Sequence, residues 1–316
     1  MPDRDTGTQS RLLGALRERL KRNQTNYDRT RANSQFAVES YSLVVLALRN
    51  HCGPEYIQAL GELLRAQNQD GSWPAFSSDD AQGCWVTALA VLALMKVRQP
   101  SGEWERGLRW LLCAKGREAT WLWRWKFRST DSSVKFDPAK YGWSWVPDTT
   151  SWVIPTAFSL LAVQYAEEQR LANASHLKDR INLGTSMLLD RMCPGGGWNA
   201  GNSVAFGVPY SPYIDATSIA LLALQAYEYE GVNLSFSWLV ARLPACPSPY
   251  SLAWGILALM AYPGKGPNFS DALLRATDAL IARLEKSRGP LDTSTLAICA
   301  LALEAVEGKN AFTVRA

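Results

Sequence analysis

Six stretches of the chain carry small and large apolar residues on nearly every side: SYSLVVLALRN, CWVTALAVLALM, PTAFSLLAVQY, ATSIALLALQAY, SLAWGILALMAY and TSTLAICALALEA. They are anchored on Ala47, Ala93, Ala162, Ala223, Ala258 and Ala300. A helix that is apolar all round is a buried helix. Amphipathic stretches alternate with them, over residues 9 to 22, 55 to 67, 103 to 115, 176 to 192, 234 to 243 and 270 to 286, and these predict helices with one wet face. Six buried helices alternating with six half-exposed ones are satisfied by a closed ring. The pattern therefore predicts an all-α (α/α)6 toroid, six inner helices surrounded by six outer ones, in a single domain over residues 1 to 316.

In such a ring the inner helices run parallel to one another, so every outer-to-inner connection emerges at one mouth. Those connections are long (residues 23 to 36, 68 to 84, 116 to 150 and 193 to 213), whereas the inner-to-outer links at 51 to 54 and 98 to 102 are turns. Long loops in a compact domain usually carry function, which directs attention to the mouth at the inner-helix N-termini. The longest loop, about 116 to 150, reads as an inserted lid. Its first half, TWLWRWKFR, alternates tryptophans with Arg124, Lys126 and Arg128, and YGWSW follows, so the segment predicts a Trp-rich β-hairpin. Trp123, Trp125, Trp143, Trp145 and Trp152 then plug the barrel, line a pocket with π-faces, or meet a membrane surface with the basic residues, a peripheral contact. Arg124 and Arg128 could also hold a diphosphate as point charges or forks. Tyr213, at the end of the 193 to 213 loop, points toward the rim.

The chain has 316 residues, 47% hydrophobic, with 33 basic and 29 acidic side chains giving a net charge of +4. That charge is too weak and too mixed for nucleic acid. No apolar run approaches the length of a membrane span or signal peptide, so a cytoplasmic protein is expected. His51 and His176 are the only histidines and no CxxC pair exists, which argues against a structural zinc site and a His-based triad; no cofactor is expected.

The stretch ALGELLRAQNQDGSW (residues 59 to 73), with Gln67, Gly71 and Trp73, resembles the QW repeat of squalene-hopene and oxidosqualene cyclases. A degraded copy is MLLDRMCPGGGWN, where Gly197 and Trp198 remain. Protein prenyltransferase β subunits and class II terpene cyclases share the toroid. The resemblance implies an isoprenoid or similar apolar substrate in an aromatic central cavity, with cyclisation started by an aspartic acid eight residues before the anchor alanine. Glu39, Trp85, Ile154, Asp215, Tyr250 and Asp292 occupy that place. Asp215, followed by Thr217, is the closest match, with Asp292 and Glu39 as neighbours; Trp85, Tyr250 and Trp254 would line the cavity. The full DxDD motif is absent, as is the prenyltransferase Asp-Cys-His zinc set.

A carboxylic acid that protonates an alkene must be neutral at rest, held so by desolvation. Asp215 and Asp292 each open an inner helix in N-cap context, which favours the charged form; Asp148, before the third inner helix, reads equally as a cap. Clustering of Glu39, Asp215 and Asp292 on one rung keeps the catalytic reading open. Two rivals stand beside it. One is a non-catalytic isoprenoid- or protein-binding barrel, for which a partner subunit could supply a missing domain. The other is a glycan-acting (α/α)6 enzyme whose two carboxylates, Asp215 and Asp292, flank a Trp-lined cleft.

Overall fold

The computed structural model describes residues 2–29, 36–51, 53–77, 82–100, 102–130, 136–171, 174–226, 228–266, 268–287 and 289–314, with side chains described outside 2–6, 23–29, 128–130 and 174–175. The inner helices are α2 (Val38–Leu48), α4 (Val86–Lys96), α7 (Val153–Glu168), α9 (Ile214–Ala223), α11 (Pro249–Met260) and α13 (Thr293–Val306). The outer ones are α1 (Pro2–Arg29), α3 (Pro54–Arg65), α5 (Glu103–Cys113), α8 (Ala174–Asp190), α10 (Glu230–Arg242) and α12 (Phe269–Lys286). Each inner helix packs on the next, and α13 packs back on α2, so the ring closes. This is the (α/α)6 toroid expected from the apolar periodicity.

Three outer-to-inner connections are built by one device. Trp73, Trp143 and Trp198 are buried, with exposures of 0%, 2% and 0%. Each indole N–H donates to a carbonyl near the end of the preceding outer helix: Trp73 to Leu63 (2.7 Å), Trp143 to Leu111 (2.8 Å) and Trp198 to Leu188 (2.6 Å). Such carbonyls lie where helical partners run out, although that of Leu188 also accepts from the Arg191 N–H at 3.2 Å. Each tryptophan's backbone N–H in turn donates to a threonine hydroxyl on the next inner helix, Thr87 (2.9 Å), Thr156 (3.0 Å) and Thr217 (2.9 Å). The same hydroxyls donate back to the tryptophan carbonyls. The latch therefore ties helix end, loop and next helix together with every buried polar group satisfied. In the first copy Gln67 adds bonds to the carbonyls of Gly71 and Glu103, both 2.8 Å. Gly71 has φ +93°, and a Cβ there would stand 2.7 Å from the Arg106 carbonyl oxygen, so this turn requires glycine.

The seam where the chain closes on itself is polar. Glu304 of α13, 6% exposed, pairs with Arg49 at 2.7 Å and accepts from Asn50 at 2.8 Å. Ser40 and Ser294 bond across the same seam at 2.8 Å.

The axis of the ring is filled. Phe312, from the segment after α13, packs on Trp254 (ring centroids 5.0 Å), Trp254 on Phe158 (5.5 Å), Phe158 on Trp85 (5.6 Å) and Trp85 on Trp145 (5.3 Å). This aromatic column runs from the closed end to the mouth. The C-terminal segment is pinned beneath it by Gln225, which donates to the Phe312 carbonyl (2.9 Å) and accepts from the Val314 N–H (3.1 Å). Lys96 donates to the Thr313 carbonyl at 2.6 Å and stands 4.0 Å over the Tyr165 ring. Burial pushes its ammonium down to about 8.

The Trp-rich segment is not a hairpin. Residues Trp121–Thr130 form helix α6, and the short hairpin at the mouth, β1 (Val204–Ala205) with β2 (Val208–Pro209), belongs to the other long loop. The expected partner strand is committed elsewhere: Trp143 is the second latch tryptophan, and the Trp145 carbonyl accepts from the Trp85 N–H at 2.9 Å. Without that partner, residues 121 to 130 satisfy their backbone internally as a helix, stacking Trp123 on Phe127 at 6.0 Å.

Two outcomes follow. Thr217→Val leaves the Trp198 N–H buried without an acceptor and is expected to cost about 1–3 kcal/mol, read as a lowered urea midpoint with an unchanged slope. Glu304→Gln leaves Arg49 as an uncompensated, mostly buried charge and is expected to cost about 3 kcal/mol, read the same way.

Candidate functional site

The rung eight residues before the anchor alanines does converge at the mouth. Glu39, Tyr250 and Asp292 come from α2, α11 and the start of α13, which are neighbours in the ring, and Asp215 on α9 lies beside Tyr250's helix. The Tyr250 hydroxyl donates to Glu39 Oε1 at 3.1 Å. Glu39 is half-buried, and its carboxyl is raised above the usual carboxylate range. Desolvation is the main cause; the bond from Tyr250 opposes it and the charge of Asp292 adds to it. The Tyr250 phenol is itself pushed up, first by burial and then by the charge of Glu39, with Asp215 contributing.

The other acids differ in their surroundings. Asp292 caps α13, accepting from the Thr295 N–H (2.8 Å) and hydroxyl (2.6 Å), as its sequence context indicates. Asp215 is not a cap. Tyr213 holds that position, and Asp215 sits in the first turn of α9, accepting from the Ala216 N–H at 2.9 Å. Asp148 is not a cap either, because the cap of α7 is Trp152. Asp148 instead occupies the third position of a turn after Val146 and Pro147 with φ +60°, a left-handed conformation that aspartate tolerates better than most residues. The structure thus gathers Glu39, Asp215 and Asp292 at the mouth and places Asp148 on the lid.

The aromatic candidates divide likewise. Trp254 is fully buried in the axial column and fills the core rather than lining a chamber. Trp143 is a latch residue. Trp152 packs against Gly201, where a Cβ would stand 2.7 Å from its ring. Tyr213 and Trp125 are exposed. Arg124 donates to the Ala119 carbonyl at 2.7 Å, holding the start of α6, while the side chain of Arg128 lies outside the described residues.

Beside the mouth, under residues 113 to 123 and 143 to 148, lies a cavity of about 750 Å³. It shares Trp85 with the rung and is walled by Trp110, Trp123 and Trp143, with Lys115, Arg117 and Asp148 among its polar lining. Its roof is fixed from below. Glu118, fully buried, accepts from the Ser151 N–H with both oxygens (3.0 and 3.2 Å), and a Cβ on Gly116 would run into both side chains. Arg180 stacks on Trp143 at 3.9 Å and donates to the Ala114 carbonyl at 2.8 Å. Sequence reading passed over Trp110, Lys115, Arg117 and Ser159, which also lines this cavity. Trp110 lies on an amphipathic outer helix and Ser159 inside an apolar one, so neither stands out by pattern.

No family model and no curated protein matches this sequence. Solved structures do share the fold. An alpha-amylase from Clostridium perfringens is 12% identical over 86% of this chain and 87% of its own, with a TM-score of 0.58. A protein from Actinoplanes is 16% identical over 92% and 99%, TM-score 0.54. A mutant of a reducing-end-xylose releasing exo-oligoxylanase is 11% identical over 89% and 83%, TM-score 0.55. Identities at this level establish the fold. They overturn the squalene-cyclase resemblance and the isoprenoid partner it implied, because two of these three neighbours are named for acting on glycans. The filled axis gives a physical reason, since Phe312, Trp254 and Phe158 occupy the volume an apolar chain would need. Gln67, Gly71 and Trp73 serve the latch instead. Trp121, Leu122 and Trp125 are exposed on helix α6, so the membrane-facing Trp-rich hairpin expected from the sequence is not formed. Among the described residues no helix is long and apolar enough to cross a membrane, and no group of three or more His, Cys, Asp and Glu is placed to hold a metal.

Tyr250→Phe tests the electrostatics of the rung. The phenol bond favours the charged carboxylate, so its removal is expected to raise the pKa of Glu39 further. A carboxyl ¹³C titration should show the Glu39 transition displaced to higher pH.

Proposed function

We propose that this protein is a glycan-acting enzyme that cleaves glycosidic bonds at the mouth of the toroid. The observation that carries the reading is the Glu39–Tyr250 pair: a desolvated carboxyl, raised above the usual carboxylate range, bonded to a phenol that also feels the charge of a second acid, Asp215, on the neighbouring helix. Glycoside hydrolysis needs two carboxyl groups in unlike roles, one acid to protonate the leaving oxygen and one carboxylate to assist attack at the anomeric carbon. Glu39 takes the first role and Asp215 the second. Tyr250 orients the acid, and the charge of Asp292 helps keep it protonated. Trp85, half-buried at the rim with Trp145 against its edge, offers a flat apolar surface to the C–H face of a sugar ring. The printed names of the alpha-amylase and the exo-oligoxylanase support the same class of substrate.

A second reading, a barrel that binds a protein or glycan without cleaving it, is favoured by the aromatic filling of the axis. Incubation with starch, xylan and their oligosaccharides, followed by measurement of new reducing ends, separates the two. Cleavage by the wild type that falls about 10²–10⁴-fold in Glu39→Gln, with the variant still binding the glycan, supports the hydrolase. Binding without cleavage by the wild type supports the second reading.

A further inference from the structure

The cavity beside the mouth contains a polar group that the fold leaves unsatisfied. Ser159 of α7 is 1% exposed, lines the cavity, and its hydroxyl has no hydrogen-bond partner. Other buried helical serines here bond back one turn, Ser42 to the Val38 carbonyl (2.8 Å) and Ser218 to the Ile214 carbonyl (2.6 Å). A buried hydroxyl without a partner costs about 1–3 kcal/mol, and a ligand hydroxyl reaching the cavity floor would remove that cost.

The walls and rim narrow the chemistry of such a ligand. Trp85 and Trp110 supply flat apolar surfaces, and the volume lies in the range of ligand pockets, about 300–1,000 Å³. At the outer edge the Arg117 guanidinium is already stacked on Trp123, 4.7 Å from the ring centroid, so little side-chain freedom remains to be lost on binding. Lys115 adds a second cation, while Asp148, held at the cavity edge by its left-handed turn, provides an acceptor. An apolar face, hydroxyls at both ends and an anion at one corner describe a ring sugar bearing a carboxylate, since a guanidinium fork matches a carboxylate in two hydrogen bonds.

We propose that this cavity is a subsite for a hexuronate residue, and that the glycan taken by the mouth is therefore an acidic one. The subsite rests on the glycan reading for its substrate class, and Trp85, which lines it, holds at the start of α4 the register position that Glu39 holds on the neighbouring α2. Ser159 holds a ring hydroxyl, Arg117 and Lys115 hold the carboxylate, and Asp148 accepts from a second hydroxyl.

The test is calorimetric titration of the full chain with trigalacturonate, against maltotriose and xylotriose, at two salt concentrations. The acidic trimer is expected to bind more tightly than either neutral one and to weaken with salt. Arg117→Ala should weaken it about tenfold and remove most of the salt dependence, Arg117→Lys should recover part of the loss, and Ser159→Ala should weaken it severalfold. Arg117 is exposed and Ser159→Ala deletes one unpartnered atom, so both variants keep the fold, checked by circular dichroism. Equal binding of acidic and neutral trimers, or wild-type affinity in both alanine variants, overturns the subsite. Cleavage of neutral glycans with no binding of the acidic trimer also removes the subsite while leaving the hydrolase intact. Arg117-dependent binding with no cleavage of any glycan keeps the subsite and removes the hydrolase.

Discussion

The contact on which this toroid depends is a tryptophan whose indole closes an outer helix while its backbone is held by a threonine of the next inner helix. Helix termini leave carbonyls that must find partners, and long loops would otherwise bury backbone groups unpaired. Answering both needs with one residue lets a loop of any length start from a fixed point. The spacings make this concrete: Trp73 and Trp198 each reach back 10 residues to their carbonyls, whereas Trp143 reaches 32 and accommodates the whole lid between. Variation at the mouth is thereby separated from stability in the ring.

The position of the candidate site follows from that separation. The six inner helices deliver their first turns to one place, and the residues there are free of the packing demands that operate a turn deeper. Below the rung the axis is aromatic and close-packed, as protein interiors are. At the rung itself a carboxyl, a phenol and two further acids come together in a setting dry enough to raise Glu39. The lid adds a wall beside that opening, its underside secured by the buried Glu118 and by Arg180 on Trp143.

The alternation of fully apolar and half-apolar segments made the ring legible because burial on all sides leaves a signal that local sequence cannot hide. Glu39, Asp215 and Tyr250 were legible for the same reason, as they share one register against the anchor alanines. The lid was misread because alternating tryptophans satisfy a strand pattern and a helix pattern over so short a span: Trp121 and Trp125 are two apart in the alternation and also four apart in sequence. Only the commitment of Trp143 to a latch, through Leu111 and Thr156, decides between them. The motif at Gln67 to Trp73 carried real structural content and no chemistry. The lateral cavity left no trace, because Ser159 differs from Ser42 by what it fails to touch.

The closing seam has a kinetic side. Asn50 and Glu304, which bond across it, are separated by 254 positions in the chain, and Lys96 reaches 217 positions ahead to Thr313. Contacts so distant in sequence slow folding, since the loop between them must be ordered before they form. During synthesis, the partners of α1 and α2 are the last parts of the ring to leave the ribosome. Until then α1 and α2 lack their α13 neighbour, and the nascent barrel is an open arc with two apolar edges, the form in which it is most exposed to chaperones, proteases and its own kind.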